Sequence, residues 1–240
     1  MSLKDQPLSE DIVGLLEGLS TTRAIRRYTP DPVPPEVLRD ILFAATRAPS
    51  GSNRQPFRFL VLTEGERAKE AKALIADCAQ RLWGQKRKDD QYEKRSGTDP
   101  DSPKSRMART MQNYVDDLSQ VPCLILPCML RYREPHVMEG ASVYPAVQNL
   151  LLAARGLGYG GVITGFHYEA EAQLKTLLDI PDEAFIACTV TLGKPQGQHG
   201  PVRRLPMSDL VFSESWGEAP AWAVDPPGTT HTRAGPPRSK

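Results

Sequence analysis

Apolar positions recur with the period of an α-helix in five stretches of the chain. In the second stretch, the apolar residues from Val37 to Ala45 fall on one face, between Pro35 at a favourable helix start and Pro49 beyond the helix end. The first stretch follows a serine and two acids, which is typical of a helix N-terminus. The pattern therefore predicts helices over residues 9–19, 34–47, 64–80, 139–156 and 169–179.

Three short apolar runs have the length and composition of β-strands. They are FRFLVL (57–62), VPCLILPCML (121–130) and AFIACTVTLG (184–193). Long segments separate these runs, so strict strand–helix–strand alternation does not fit. The pattern favours an α+β layered domain.

Two segments depart from the apolar pattern. Residues 81–118 are rich in Lys, Arg, Asp and Gln, and we interpret them as a mobile, lid-like excursion flanked by helices rather than a linker. Residues 213–240 are rich in Pro, Gly and Ala, and we expect an extended tail whose last stretch is disordered. The predicted domain spans residues 9–212.

Composition narrows the class of protein. Of 240 residues, 40% are hydrophobic, and 30 basic residues against 29 acidic ones give a net charge of +1, which is typical of a globular protein and argues against a nucleic-acid binder. No apolar run approaches the ~18 residues that span a bilayer, and the N-terminus lacks signal-peptide features. Four scattered cysteines look like buried hydrophobes. We expect a cytoplasmic protein without a membrane partner.

Several familiar catalytic motifs are missing from the sequence. GLGYGG (156–161) follows a predicted helix, so its glycines indicate a helix end rather than a dinucleotide site. No two histidines have metal-ligand spacing on one predicted element, and no GxSxG, P-loop or HExxH motif occurs, so no metal is predicted. An enzyme with this sequence is expected to rely on a cofactor.

Two kinds of segment offer binding chemistry. Arg23, Arg26 and Arg27 form a potential anion clamp, and Arg203 with Arg204 forms a second basic pair, although either group alone also fits a solvated surface. The stretch APSGSNRQPF (48–57) presents small hydroxyls, amides and bare backbone before a strand, which suits a loop that binds a small polar ligand.

Four blocks taken together resemble the FMN-dependent nitroreductase family. They are TRAIRRYTPDPVP, RAPSGSNRQPFRFLVL, GLGYGGVITGF and LGKP…PVRR, in matching order and spacing over roughly residues 10–212. The resemblance implies a nitroreductase-like layered fold with a central, mostly antiparallel sheet flanked by helices. It also implies an intertwined homodimer with two FMN sites at the subunit interface, each built from both chains.

The resemblance also implies the residues around FMN. Arg23 and Arg26 would meet its phosphate and ring edge, and Ala24, where the family often has Ser or His, would offer backbone alone. The loop from Pro49 to Gln55 would come from the partner subunit. The segment 163–165 would lie along the isoalloxazine. The complete implied set is Arg23, Ala24, Arg26, Pro49, Ser50, Gly51, Asn53, Gln55, Ile163, Thr164, Gly165, Arg203 and Arg204.

The implied activity is a ping-pong, two-electron reduction of a nitroaromatic or quinone acceptor by NADPH or NADH, with no catalytic side chain. Basic residues of the excursion, Arg106 and Arg109 among them, either attract the NADPH 2′-phosphate or form a solvated charged helix. Its aromatic residues Trp83, Tyr92 and Tyr114 either stack on the acceptor or pack together. Open alternatives are a dehalogenase or azoline oxidase of the same fold, a non-catalytic FMN sensor, and a cofactor-free hydrolase or interaction module.

Overall fold

The computed structural model of the protein describes Leu3 and residues 6–232. It divides into two compact units after His199. Among the described residues, all the α-helices and β-strands lie in the first unit. The helices are α1 (Leu15–Thr21), α2 (Pro35–Ala45), α3 (Glu66–Asp89), α4 (Pro103–Asp116), α5 (Tyr144–Gly156) and α6 (Glu171–Leu177). The strands are β1 (Phe57–Leu62), β2 (Cys123–Leu130), β3 (Gly160–Thr164), β4 (Ala184–Ile186) and β5 (Thr189–Gly193).

The five strands form one antiparallel sheet. The order is β1–β2–β5–β3, and β4 pairs with β2 beyond the end of β5. The predicted strand 184–193 is thus split in two. The break lies opposite Pro127 of β2, which has no N–H for the ladder, and the Ala187 N–H donates to the Pro127 carbonyl across it at 2.8 Å.

Helices cover both faces of the sheet. Leu124, Leu126 and Cys128 of β2 pack with α3, α4 and α6, whereas Cys123 and Ile125 pack with α2 and α5. Because successive side chains of a strand point to opposite faces, the continuous apolar run of β2 serves two cores. The four cysteines are free and buried, as predicted.

Strand β3 was missed by the sequence prediction, which treated its glycines as a helix-ending turn. The glycines instead allow a close approach of backbones inside the sheet. A Cβ on Gly161 would lie 2.5 Å from the Thr191 carbonyl oxygen, and one on Gly160 would lie 2.5 Å from Ile25 Cγ1.

The segment 81–118 is largely helical and contributes to the core. Helix α3 continues to Asp89, beyond its predicted end at residue 80. Trp83 and Tyr114 are buried, and Trp83 packs edge-on against Tyr92 at 5.2 Å between ring centroids. The suggestion that Trp83 and Tyr114 stack on an acceptor is therefore wrong, because their rings are already packed. The role of the segment as a lid stays a prediction.

The second unit, described from residue 200 to residue 232, is mostly irregular. Its chain returns on itself, because Arg204 bridges to His231 and the Met207 N–H donates to the Asp225 carboxylate at 3.0 Å. The predicted disorder of the final stretch concerns residues 233–240, which lie outside the described part of the chain. No helix among the described residues is long and apolar enough to cross a membrane.

Candidate active site

The arginine segment of residues 23–29 lies along the β3 edge of the sheet. The Ile25 N–H donates to the Gly161 carbonyl of β3 at 3.0 Å, and the Thr29 N–H donates to the Lys194 carbonyl at 2.9 Å. Ile25 is buried over Gly160, whose missing side chain leaves room for it. The flanking arginines are therefore held at a defined place by backbone hydrogen bonds.

A cavity of about 370 Å³ opens beside this segment. Its walls are the segment 23–27, one side of α4, and the turn at residues 195–198. The arginines that line it are Arg23, Arg26, Arg27 and Arg106, and none of its described lining residues is acidic. Four guanidinium groups without a carboxylate form a site for an anion, since each can donate two parallel hydrogen bonds to a phosphate or carboxylate.

Arg26 is the most enclosed of these arginines. Its Nε atom is buried and has no hydrogen-bond partner among the described residues. Behind it, the hydroxyls of Tyr28 and Tyr114 contact Thr191 Oγ1 at 2.8 and 3.0 Å. Burial raises the pKa of Tyr114 to about 12 and that of Tyr28 well above its usual value. Both phenols are neutral at pH 7 and leave the charge of Arg26 uncompensated.

His199 lies beside the same segment. Its Nε2 lies 3.1 Å from the Tyr159 carbonyl, and a Cβ on Gly160 would come within 3.1 Å of its ring. Burial lowers the pKa of His199, and the nearby charges of Arg155 and Arg23 lower it further. The imidazole is therefore neutral at pH 7 and adds no positive charge to the site.

The loop from Pro49 to Gln55 has an unusual backbone. Ser52, Asn53 and Gln55 have φ values of 51°, 51° and 48°, a region that non-glycine residues seldom occupy. The Ser50 hydroxyl stabilises this shape by accepting from the Gln55 N–H at 2.9 Å. Such strain concentrates at functional loops and presents exposed amides and hydroxyls in a fixed arrangement.

One chain does not bring this loop to the arginine cavity. The loop leads into β1, and β1 and β3 are separated by β2 and β5 in the sheet. Three strand spacings amount to about 14 Å across the sheet. Pro49, Ser50, Gly51, Asn53 and Gln55 thus lie away from Arg23, Ala24 and Arg26.

The other predicted residues fall in two places. Ile163 is 41% exposed at the end of β3. The Thr164 carbonyl accepts a hydrogen bond from the Thr189 hydroxyl at 3.0 Å. A Cβ on Gly165 would lie 2.6 Å from the Tyr168 ring. Arg203 and Arg204 belong to the second unit, where Arg204 Nη1 donates to the Arg203 carbonyl at 2.9 Å. That Arg203 and Arg204 belong to the residues around FMN stays a prediction.

Helix α4 supplies lining residues that sequence reasoning did not assign to the cofactor site. Arg106, Met107 and Thr110 face the cavity. A helix signal is present in the sequence, because Ser102 caps the first turn by accepting from the Ser105 N–H at 3.1 Å, just before Pro103. Helix α4 was not predicted, because the charged composition of residues 81–118 indicated a mobile excursion instead.

Fold and cavity define an α+β protein with an arginine-lined cavity at the edge of an antiparallel sheet that helices cover on both faces. The model of the Nitroreductase family matches residues 19–194, and the chain belongs to this family. This confirms the predicted family, fold class and oxidoreductase class.

Relatives agree with this assignment. The chain is 29% identical over 202 residues to a Thermus thermophilus protein named NADH dehydrogenase, covering 79% of this chain and 91% of that one. It is 25% identical over 198 residues to a 4-nitrobenzoate reductase of Nocardioides sp., covering 74% and 78%. The structure of an FMN and NADPH-dependent nitroreductase from Sphigopyxis sp. strain HMH superposes with a TM-score of 0.63 at 20% identity, covering 85% of this chain and all of that one, and this likeness concerns the fold.

Proposed function

We propose that the protein is an FMN-dependent NAD(P)H oxidoreductase that passes two electrons to nitroaromatic or quinone acceptors in a ping-pong cycle. The observation that carries the proposal is the cavity in which Arg23, Arg26 and Arg106 surround a space at the β3 edge. Membership of the Nitroreductase family supports it. So do the names of the relatives, which include a nicotinamide nucleotide oxidoreductase and a nitroaromatic reductase.

The residues present fit FMN. A phosphate needs several cationic donors, and the cavity offers four arginines and no acid among its described lining residues. The buried Arg26 Nε lacks an acceptor that a phosphate or ring oxygen would supply. Ile163 exposes apolar surface at the end of β3, where the segment 163–165 would run along a flat ring. When bound, FMN supplies the hydride acceptance and two-electron transfer that the side chains cannot.

The chain itself contributes binding and electrostatics. Arg23 and Arg26 hold the phosphate and one ring edge, and Ala24 offers its backbone. Positive charge at Arg23 favours a cofactor form with extra negative charge, which makes reduction by the nucleotide easier. No catalytic side chain is assigned. The same proposal includes NADPH or NADH as the reductant and a cytoplasmic location. It also includes phosphate contacts from Arg203 and Arg204.

A homodimer accounts for the separation between the loop and the cavity. The loop from Pro49 to Gln55 lies about 14 Å across the sheet from β3, and in the proposed dimer a second copy supplies this loop to the cofactor. Helix α1 also exposes Leu15 and Leu16 by 70% and 79%, and the nearby Leu19 is exposed too. A contiguous apolar face of this kind is typical of a protein interface.

The visible spectrum of the purified protein, before and after anaerobic NADPH, tests the function. We expect a flavin spectrum that bleaches on addition of NADPH and recovers with a quinone. A flavin spectrum that persists would indicate a sensor, and a colourless protein that takes up no FMN would overturn the proposal.

A matched pair of variants tests the arginine cavity. Arg26→Gln removes a lining charge, whereas Arg67→Gln removes the charge of an exposed arginine paired with Asp179 on the surface. We expect only Arg26→Gln to weaken FMN binding, by about tenfold or more for one lost charge-assisted contact. Equal FMN affinity in both variants would remove Arg26 from the site.

A further inference from the structure

A second group of arginines lies at the opposite edge of the sheet, where β2 ends beside the loop 49–55. Arg54, Arg58 and Arg131 line a cavity of about 340 Å³ together with Gln55 and Tyr132. Arg133 adjoins it, with its guanidinium 5.3 Å from the Tyr132 ring centroid. We call Arg54, Arg58, Arg131, Tyr132 and Arg133 the strand-end cluster.

Most of the charge in the strand-end cluster is uncompensated. Arg131 pairs with Glu139 at 2.7 Å and lies 4.1 Å over the Phe185 ring. In contrast, no carboxylate of the described residues pairs with Arg54, Arg58 or Arg133. Arg58 donates only to backbone, from Nη1 to the Gln55 and Phe57 carbonyls at 3.0 and 2.8 Å. Two arginines without a paired carboxylate in the lining of one cavity, Arg54 and Arg58, favour an anionic ligand.

The Tyr132 ring lies beside two of the unpaired guanidinium groups, those of Arg54 and Arg133. The Arg54 guanidinium carbon lies 4.7 Å from the Tyr132 ring centroid, and the ring is about half exposed. A guanidinium stacked on an aromatic ring keeps its N–H edge available, so it can still donate two parallel hydrogen bonds to an oxyanion. The exposed part of the Tyr132 ring offers apolar surface to whatever carries that oxyanion.

We propose that the strand-end cluster binds the oxyanion of the second substrate: the carboxylate of an aromatic acceptor or a phosphate of the nicotinamide nucleotide. The inference rests on the proposed function through Gln55, which lines this cavity and also belongs to the loop offered to the partner's cofactor. Arg54 and Gln55 are neighbours in this loop, so in the proposed homodimer the loop would carry an anion held by Arg54 toward the partner's cofactor. The cluster then sets which charged molecules are accepted.

The test compares the flavin-loaded wild type with Arg54→Gln and Tyr132→Ala. The probes are NADPH, 4-nitrobenzoate and its uncharged counterpart nitrobenzene. We expect KM for one anionic probe to rise by about tenfold or more, the effect of one lost charge-assisted hydrogen bond, with KM for nitrobenzene unchanged. A rise for 4-nitrobenzoate identifies the acceptor carboxylate as the ligand, and a rise for NADPH identifies the nucleotide phosphate. Arg54→Lys, which keeps the charge, should recover part of the loss.

Controls separate this inference from the proposed function. Arg67→Gln, which removes one positive charge elsewhere, should leave every KM unchanged. Calorimetric titration with 4-nitrobenzoate and with 2′,5′-ADP reports anion binding without turnover, and Arg54→Gln should weaken it. Unchanged KM values and titrations, or loss of flavin from Arg54→Gln, would overturn the assignment. If the wild type holds no flavin, the proposed function fails. In that case the calorimetric titration alone tests the strand-end cluster. Anion binding that is lost in Arg54→Gln supports the proposed anion site, and no anion binding overturns it.

Discussion

Removing the Thr191 hydroxyl should destabilise the protein more than removing that of Tyr114. Thr191 Oγ1 contacts Tyr28 at 2.8 Å and Tyr114 at 3.0 Å, and Tyr28 also donates to the Ile25 carbonyl at 2.6 Å. Tyr114→Phe leaves Thr191 with its Tyr28 contact, so it should cost only about 1 kcal/mol, the net value of one hydrogen bond. Thr191→Val leaves the buried Tyr114 hydroxyl without a partner, which costs roughly 1–3 kcal/mol.

Urea unfolding of the two single variants and the double variant measures the difference. In the double variant the Tyr114 hydroxyl is absent, so Thr191→Val no longer leaves a buried hydroxyl without a partner. The double variant should therefore lose less stability than the sum of the losses in the two single variants. Each 1 kcal/mol corresponds to about 2–4 °C in Tm for a chain of this size. Tyr92→Phe is the matched control, because the Tyr92 hydroxyl forms no hydrogen bond among the described residues. Additive effects, or a smaller loss for Thr191→Val than for Tyr114→Phe, would refute the reasoning.

The same pair of phenols predicts a loss of stability at alkaline pH. Burial raises the folded pKa of Tyr114 from 10.0 to about 12, so the unfolded chain releases this proton first. Stability from the neutral phenol is present below pH 10 and is lost as the pH rises toward about 12. Tyr114→Phe should flatten this part of the stability curve, and an unchanged slope would contradict the burial of the phenol.

Three further predictions concern other parts of the fold. Gly160→Ala should cost roughly 1–3 kcal/mol and weaken FMN binding, because its methyl meets Ile25 and displaces the arginine segment; unfolding and flavin titrations measure both. Lys72 donates to two backbone carbonyls inside the core, so Lys72→Met should lower the denaturation midpoint. Burial lowers the folded pKa of this lysine, so wild-type stability should rise with pH toward 10.5 and the variant should lack that rise. Leu16→Glu should convert a dimer to monomers in light scattering, whereas an unchanged mass would exclude α1 from the interface.

Sequence patterns predicted the parts of the fold where local signals and tertiary packing agree. The run VPCLILPCML is apolar throughout because β2 has cores on both faces, so its identification as a buried strand is confirmed. Strand β3 was missed because Gly160 and Gly161 serve close backbone contacts, and their sequence looks like a turn. Helix α4 was missed because most of its side chains are charged or polar, and only a few, including Tyr114, reach the core.

The residues of the candidate site also differ in how well the sequence predicted them. Three arginines within five residues suggested an anion clamp but also fitted a solvated surface, and only the family resemblance gave Arg23 and Arg26 a place beside a cofactor. The structure places both in the lining of one cavity, and their contact with FMN stays a prediction. Met107 and Thr110 were not found, since nothing local shows that α4 packs over the arginine segment. Whether the loop 49–55 and the cavity meet depends on a second copy of the chain, and a single sequence carries that information only through resemblance.

The four buried thiols give the protein a built-in reporter of local opening. Cys123 and Cys128 lie in the central strand β2, and Cys188 lies at the break between β4 and β5. Burial raises the pKa of Cys123 and Cys188 to about 12 and that of Cys128 to about 11, so these thiols hardly react while the fold is closed. Labelling by a thiol reagent therefore follows transient exposure of each position. Cys188, beside the interrupted ladder, should be modified before the two cysteines of the unbroken strand.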